Sequence, residues 1–252
     1  MAWDIPPMVK RVSVLAFSVA LAALTAAHGA DRPVAVAGYT TGKYLAVTLL
    51  PSAGLTAEEF VGAPLPVASY PDYSAVVWND IIKDPQVLGD ESFWDLGEHP
   101  ADLADYVQSG GVIVVAGVGL PVSNFKMVRK LGGNLADLLG ISGVALPRPQ
   151  GAVRIIEPND PLFAGLTAGR DSYAWLGETS AAAAGPTTGK VLAVVSTEAG
   201  EELPFITVHE MGKGKVYWMG TAPARLPKSG ASDEDRAAYE RVLLNALQAP
   251  NP

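Results

Sequence analysis

Two glycine-rich turns follow apolar runs, and both have residue types that could handle a phosphate. Gly38-Tyr39-Thr40-Thr41-Gly42-Lys43-Tyr44 has the outline of a P-loop. Only three residues separate its glycines, and Tyr44 stands where a Ser or Thr would bind magnesium. A second TTGK, Thr187 to Lys190, precedes an apolar run rather than a helix. Both TTGK segments read as turns. In GVIVVAGVGLP, Gly111 to Pro121, the turn Gly117-Val118-Gly119-Leu120 lacks the third glycine of a dinucleotide fingerprint, and Pro121 removes an amide that a pyrophosphate would use. No cofactor is expected.

The nucleophile inventory is short. The chain has no cysteine, which excludes disulfides, thiolate metal sites and cysteine nucleophiles. No Gly-x-Ser-x-Gly elbow occurs, and Ser123 lies past the apex of the turn at Val118. Of three histidines, His28 sits in the N-terminal segment, His99 lies beside Glu98 at a helix start, and His209 reads as a surface residue of a hairpin. His209-Glu210 is no HExxH zinc motif, because Lys213 stands where the second histidine belongs. No metal site is expected. Carboxylates are plentiful at Asp80, Asp84, Asp90, Glu91, Asp95 and Glu98, beside Phe93 and Trp94. Asp80 is the best placed, because ligands of open α/β sheets bind at strand C-terminal ends. Paired with another acid of the 84–98 segment, it would supply the acid and base of a glycoside hydrolase. The bland alternative for these acids is a solvated loop.

The bulk properties narrow the partners. The 252 residues are 49% hydrophobic, enough for the core of one domain. A net charge of −8 argues against a nucleic-acid or anionic-membrane surface, which needs basic patches. Lys10-Arg11, the apolar run Val12 to Leu24 and the small residues Ala27 and Gly29 make a secretory signal over 1–29, starting at Met1 or Met8 and cleaved before Ala30. The apolar run is shorter than the roughly 20 residues of a spanning helix. The expectation is a single domain over 30–252 in the periplasm or outside the cell, with no membrane anchor after cleavage.

The elements that must position these residues alternate. Short apolar runs at Pro33 to Gly38, Val67 to Tyr70, Tyr73 to Asn79 and Gly111 to Ala116 predict strands buried on both faces. Leu103, Tyr106 and Val107 give Pro100 to Ser109 a helical stripe, stopped by Gly110-Gly111. This β-α-β order predicts a right-handed crossover and a doubly wound, mostly parallel sheet. A helix follows over Leu131 to Leu139, then strands at Gly151 to Ile156 and Val191 to Ser196. Pro204 to His209 and Lys215 to Gly220 flank a Gly-rich turn and predict a C-terminal hairpin. Ser232 caps a final helix whose first turn holds Asp233, Glu234 and Asp235. Ala181 to Ala184 reads as a loop or helix end.

Four segments carry a family resemblance: Tyr73 to Asp80 (YSAVVWND), Leu103 to Gly117, Glu157 to Leu166 (EPNDPLFAGL) and Met211 to Gly220 (MGKGKVYWMG). In order and spacing the chain resembles the class I glutamine amidotransferase-like superfamily, closest to its non-amidotransferase, trehalose-utilisation-protein-like and uncharacterised bacterial branch. The resemblance implies a flavodoxin-like three-layer α/β sandwich. It also implies an elbow with the nucleophilic cysteine at its middle and a later His-x-Glu dyad. Val118 stands at the elbow's middle, and valine has no atom that attacks a carbonyl. His209-Glu210 lacks the intervening residue of the dyad. No catalytic residue carries over, so the expectation is a pseudoenzyme.

The expected site is the strand C-terminal edge: Tyr39, Asn79, Asp80, Gly117, Val118, Gly119 and Leu120. It would bind a small molecule, a carbohydrate or a protein. A carbohydrate-active hydrolase built on Asp80 is one alternative. A structural or assembly module is another, since related domains occur inside larger glycosidases.

Overall fold

The computed structural model describes residues 32–38, 42–61, 67–79, 100–117, 128–130, 133–145, 151–177, 180–228 and 230–249. Its main element is a nine-stranded sheet of order β2-β1-β3-β4-β12-β11-β10-β7-β8. The strands are β1 (Val34–Gly38), β2 (Ala57–Val61), β3 (Ala75–Asn79), β4 (Val112–Ala116), β7 (Val153–Ile155), β8 (Ser172–Tyr173), β10 (Lys190–Ser196), β11 (Glu202–Met211) and β12 (Gly214–Met219). A second sheet joins β5 (Val128–Lys130), β6 (Ile141–Ala145) and β9 (Ala182–Thr187) in the order β5-β6-β9. The helical segments are α1 over residues 42–52, α2 (Pro100–Gln108), α3 (Gly133–Leu139) and α4 (Asp233–Gln248).

Strands β1, β3 and β4 are unbroken apolar runs because both of their faces are covered. One cluster joins Val34, Val36, Val77 and Val114 to Leu45 and Leu49 of α1 and to Val242 and Leu243 of α4. The other joins Ala35, Val76, Ile113 and Val115 to Leu103 and Val107 of α2 and to Leu138 and Leu139 of α3. Alternate residues of one strand therefore serve opposite cores. Ser232 caps α4 as expected, its Oγ accepting from the Asp235 amide at 3.1 Å.

Five features depart from expectation. The sheet is mixed: β2, β1, β3, β4 and β12 run parallel, and the hairpin of β11 and β12 then reverses direction, so β11, β10, β7 and β8 pair antiparallel. Val67–Asp72 is a 3-10 turn, not a strand. Pro71 has no N–H to donate to a ladder, and Tyr70 is a fully buried plug that accepts from Trp78 Nε1 at 3.0 Å. The edge strand is instead AEEFV, Ala57–Val61, whose adjacent glutamates broke the apolar signal. Ala182–Thr187 is a strand with Ala182, Ala183 and Ala184 buried, because alanine lets backbones pack closely. The first TTGK is also no simple turn, since Gly42 and Lys43 already lie in α1. The second one does turn between β9 and β10.

One register row exposes an internal flaw. Trp78 pairs with Val115, Val115 with Trp218, and Trp218 with Thr207. Thr207 Oγ1 and Trp218 Nε1 are both buried and make no hydrogen bond among the described residues. A buried hydroxyl without a partner costs about 1 kcal/mol or more. Valine keeps the branched shape of threonine and removes the polar atom. Thr207→Val is expected to raise stability by about 1 kcal/mol in urea unfolding. A fall in stability would show that the hydroxyl is bonded in solution.

Candidate functional site

The parallel strands end together. Gly38 lies beside Asn79, Asn79 beside Ala116, and Ala116 beside Met219. Two glycines let the chain turn at this edge without pushing neighbours apart. A Cβ on Gly38 would lie 1.8 Å from the Asn79 carbonyl oxygen. Gly117 has φ +71°, and a Cβ there would lie 2.5 Å from the Ala222 amide nitrogen. The Gly117 amide donates to the Met219 carbonyl at 2.8 Å. Gly117, at the end of β4, thus rests directly on Thr221-Ala222, the segment that follows β12. Asn79, the last residue of β3, is fully buried.

Beside this contact lies a buried run of hydroxyls. The Gly177 amide donates to Ser180 Oγ at 2.6 Å. Ser180 Oγ is 2.5 Å from Thr221 Oγ1, and Thr221 Oγ1 donates to the Trp175 carbonyl at 2.9 Å. Thr221 has spent its proton on a carbonyl, which only accepts, so the proton between the hydroxyls comes from Ser180. The direction is Gly177 N–H to Ser180 to Thr221 to Trp175. The backbone of Thr221 is bracketed by one phenol: its amide donates to Tyr239 Oη at 3.1 Å, and Tyr239 Oη donates to its carbonyl at 2.6 Å. Burial pushes the Tyr239 phenol well above its ordinary pKa, with the Thr221 backbone bond opposing, so it stays neutral. The hydroxyls share their bonds with backbone groups and each other, and no base touches them among the described residues. Among the described residues the arrangement locks Trp175, Ser180 and Thr221 in place.

The lock continues outward. Trp175 Nε1 donates to the Asp235 carbonyl at 2.9 Å, and the Trp175 ring stacks on Tyr173 at 4.5 Å between centroids. The Asp235 side chain accepts from Ser232 Oγ at 2.6 Å, from the Ala174 amide at 3.3 Å and from Arg170. Arg170 also lies over the Tyr173 ring at 4.3 Å. Burial alone would raise the Asp235 pKa, but the Ser232 hydroxyl, the Ala174 amide and Arg170 outweigh it and hold the carboxyl below its ordinary value.

Of the expected site residues, the structure brings Asn79 and Gly117 to one edge. Tyr39, Asp80, Val118, Gly119 and Leu120 lie outside the described residues, as do the 84–98 acids, His99 and the segment 1–29. His209 is not a free surface residue: it is half-buried, and its Nδ1 lies 3.1 Å from the Leu138 carbonyl. Sequence reasoning missed Ser180, Thr221 and Tyr239. The signal for Thr221 was present, since it is a polar residue just beyond a strand's C-terminal end, the criterion that singled out Asp80. Ser180 and Tyr239 carry no comparable local mark.

No family model matches the chain, and no curated protein matches its sequence. Solved structures do match its shape. A cytoplasmic protein of Salmonella typhimurium superposes with a TM-score of 0.53 at 15% identity, covering 86% of this chain and 98% of its own. A ThuA-like protein from Bacteroides uniformis superposes with a TM-score of 0.51 at 14% identity, covering 88% of this chain and 93% of its own. At this identity the likeness is one of fold alone: the chain shares the α/β fold of these two proteins.

Gly117→Ala forces a side chain into a left-handed backbone against the Ala222 amide, and is expected to cost at least about 2 kcal/mol by denaturant unfolding. The folded pKa of Asp235 lies below the unfolded value of about 3.9, so its contribution is complete above about pH 4 and is lost as pH falls through the folded pKa. Asp235→Asn should cost about 2 kcal/mol at neutral pH and flatten the acid limb of a Tm-against-pH curve. An unchanged acid limb would remove the carboxylate from this role.

Proposed function

We propose that this protein is an exported, catalytically silent domain of the amidotransferase-like, ThuA-like kind, which binds a ligand or partner at the C-terminal edge of its parallel strands. In this reading the fold is a flavodoxin-like three-layer sandwich. The observation that carries the proposal is the saturated hydroxyl run at that edge. Thr221 lies against Gly117 at the end of β4, and Ser180 and Thr221 spend their hydrogen bonds on each other, the Gly177 amide and the Trp175 carbonyl. Val118, which the family resemblance aligns with the nucleophile position, brings no nucleophilic atom, and the chain has no cysteine to replace it. A rigid edge suits recognition, because the ordering cost is met during folding rather than on binding. Export rests on the basic, apolar and small-residue succession of residues 1–29.

The test uses the chain from Ala30 onward. In a thermal-shift screen of sugars, nucleotides and amino acids, one class should raise Tm by about 5 °C or more at a hundredfold excess over its Kd. Val118→Trp, a bulky substitution at the residue aligned with the nucleophile, should abolish that shift. Glutamine should release no ammonia, and the exported product should begin at Ala30. Ammonia release, or no shift with any class, would overturn the binding reading. A retained, uncleaved chain would overturn export.

A further inference from the structure

The parallel strands have a second end, and it also carries a shaped surface. A groove of about 500 Å3 opens there, lined by Gln108, Asp137, Thr188, His209 and Met211. Its volume falls in the range of small-molecule sites, roughly 300–1,000 Å3. Its walls come from the ends of α2 and α3, the β9–β10 turn and β11. It lies at the opposite end of the strands from the edge discussed above, since β4 and β12 start here, with Lys215 beside Val112.

The walls are fastened to one another by backbone hydrogen bonds. The Gly140 carbonyl, just past α3, accepts from the Thr188 amide at 2.9 Å and the Gly189 amide at 3.0 Å. The Gln108 carbonyl, at the end of α2, accepts from the Lys213 amide at 3.0 Å. Gly140 seats the histidine, because a Cβ there would lie 2.8 Å from the His209 ring. The His209 Nδ1 contact with the Leu138 carbonyl fixes the tautomer. A carbonyl only accepts, so Nδ1 carries the hydrogen, and in the neutral ring Nε2 is left as an acceptor.

The lining is electron-rich. It offers the exposed Asp137 carboxylate, the acceptor Nε2 of His209, the Gln108 amide and the Thr188 hydroxyl. Helices α2 and α3 both reach the groove with their C-terminal ends, where the helix dipole is negative. Of the nearby cations, Lys215 is engaged by Glu210 at 3.4 Å, and Lys213 is exposed on the neighbouring turn without lining the groove. Met211 supplies an apolar surface beside these acceptors. No three histidine, aspartate or glutamate side chains meet among the described residues in a way that would hold a metal ion.

We propose that this groove is a second binding site, for a small organic cation with an ammonium group. The ammonium donates to the Asp137 carboxylate and to His209 Nε2, and the alkyl part lies against Met211.

The test follows the His209 ring by NMR in the chain from Ala30 onward, at about pH 8, where an alkylammonium is charged. The probe is 1,4-diaminobutane, and 1,4-butanediol is its uncharged counterpart. The diamine should shift the His209 resonances saturably, and the diol should not. Asp137→Asn should weaken binding by about tenfold, the loss of one charge-assisted contact. Glu201→Gln, which removes the same charge outside the groove, should leave binding unchanged. No saturation by about 10 mM diamine would overturn the proposal. So would equal shifts by the diol, or equal weakening by Glu201→Gln, which would mean general attraction to an acidic chain. Saturation by zinc ion but not by the diamine would overturn it as well.

Discussion

The pairing of β4 with β12 is the constraint on which the rest of the structure depends. It brings a strand from late in the chain beside one from its first half, in parallel, from Lys215 against Val112 to Met219 against Ala116. On one side of this seam the sheet is wholly parallel; on the other the β11–β12 hairpin turns it antiparallel. Glycine is required at both ends of the seam. Beyond its upper end, a side chain on Gly117 would meet the Ala222 amide. At its lower end, a Cβ on Gly214 would lie 2.0 Å from the Val107 carbonyl oxygen. A close-packed interior does not open for even one methyl group at low cost.

The edge above the seam is stiff for a reason that goes beyond packing. Thr221 is held by its side chain through Ser180 and Trp175, and by its backbone through Tyr239. Trp175 in turn is tied to the first turn of α4, where Asp235 gathers Ser232, Ala174 and Arg170. A path of hydrogen bonds thus runs from the half-exposed Arg170 to the buried strand end. Each buried polar atom on that path has a partner, in contrast to Thr207 and Trp218 across the sheet. Polar groups are expensive to bury unpaired, so the pairing along this path is what lets it hold the Trp175–Thr221 segment in place.

The two ends of the parallel strands differ in chemistry. Among the described residues, the C-terminal edge is built of amides, hydroxyls and glycine that bond or pack against one another. The opposite groove is lined by Asp137 and His209. Both are held by the seam, because the turn Met211 to Gly214 that borders the groove leads directly into β12, and β12 leads directly into Thr221.

Much of the architecture was legible in the residue pattern. VAVAG, AVVWN and VIVVA read as doubly covered strands because an unbroken apolar run has no solvent face to supply, and the hairpin, the final helix and its Ser232 cap followed from turn and capping chemistry. Local pattern failed where tertiary contact outweighed it. Ala57–Val61 is a strand because it pairs with β1 along the sheet edge, despite two glutamates; Tyr70 leaves the strand pattern to fill a hole beside Trp78 and Tyr106; and Ala182–Thr187 pairs with β6 although its alanines carry no strand signal. The sequence by itself determined that no cysteine chemistry is available, that Val118 cannot attack a carbonyl, and which runs lie buried in the parallel half of the sheet, because these are properties of single residues or of short periodic runs. Only the tertiary structure decided that Ser180, Thr221 and Tyr239 form one network and that His209 shares a groove with Asp137. Those residues are separated by 18 to 72 positions along the chain, and their meeting depends on strand order, which no local pattern encodes.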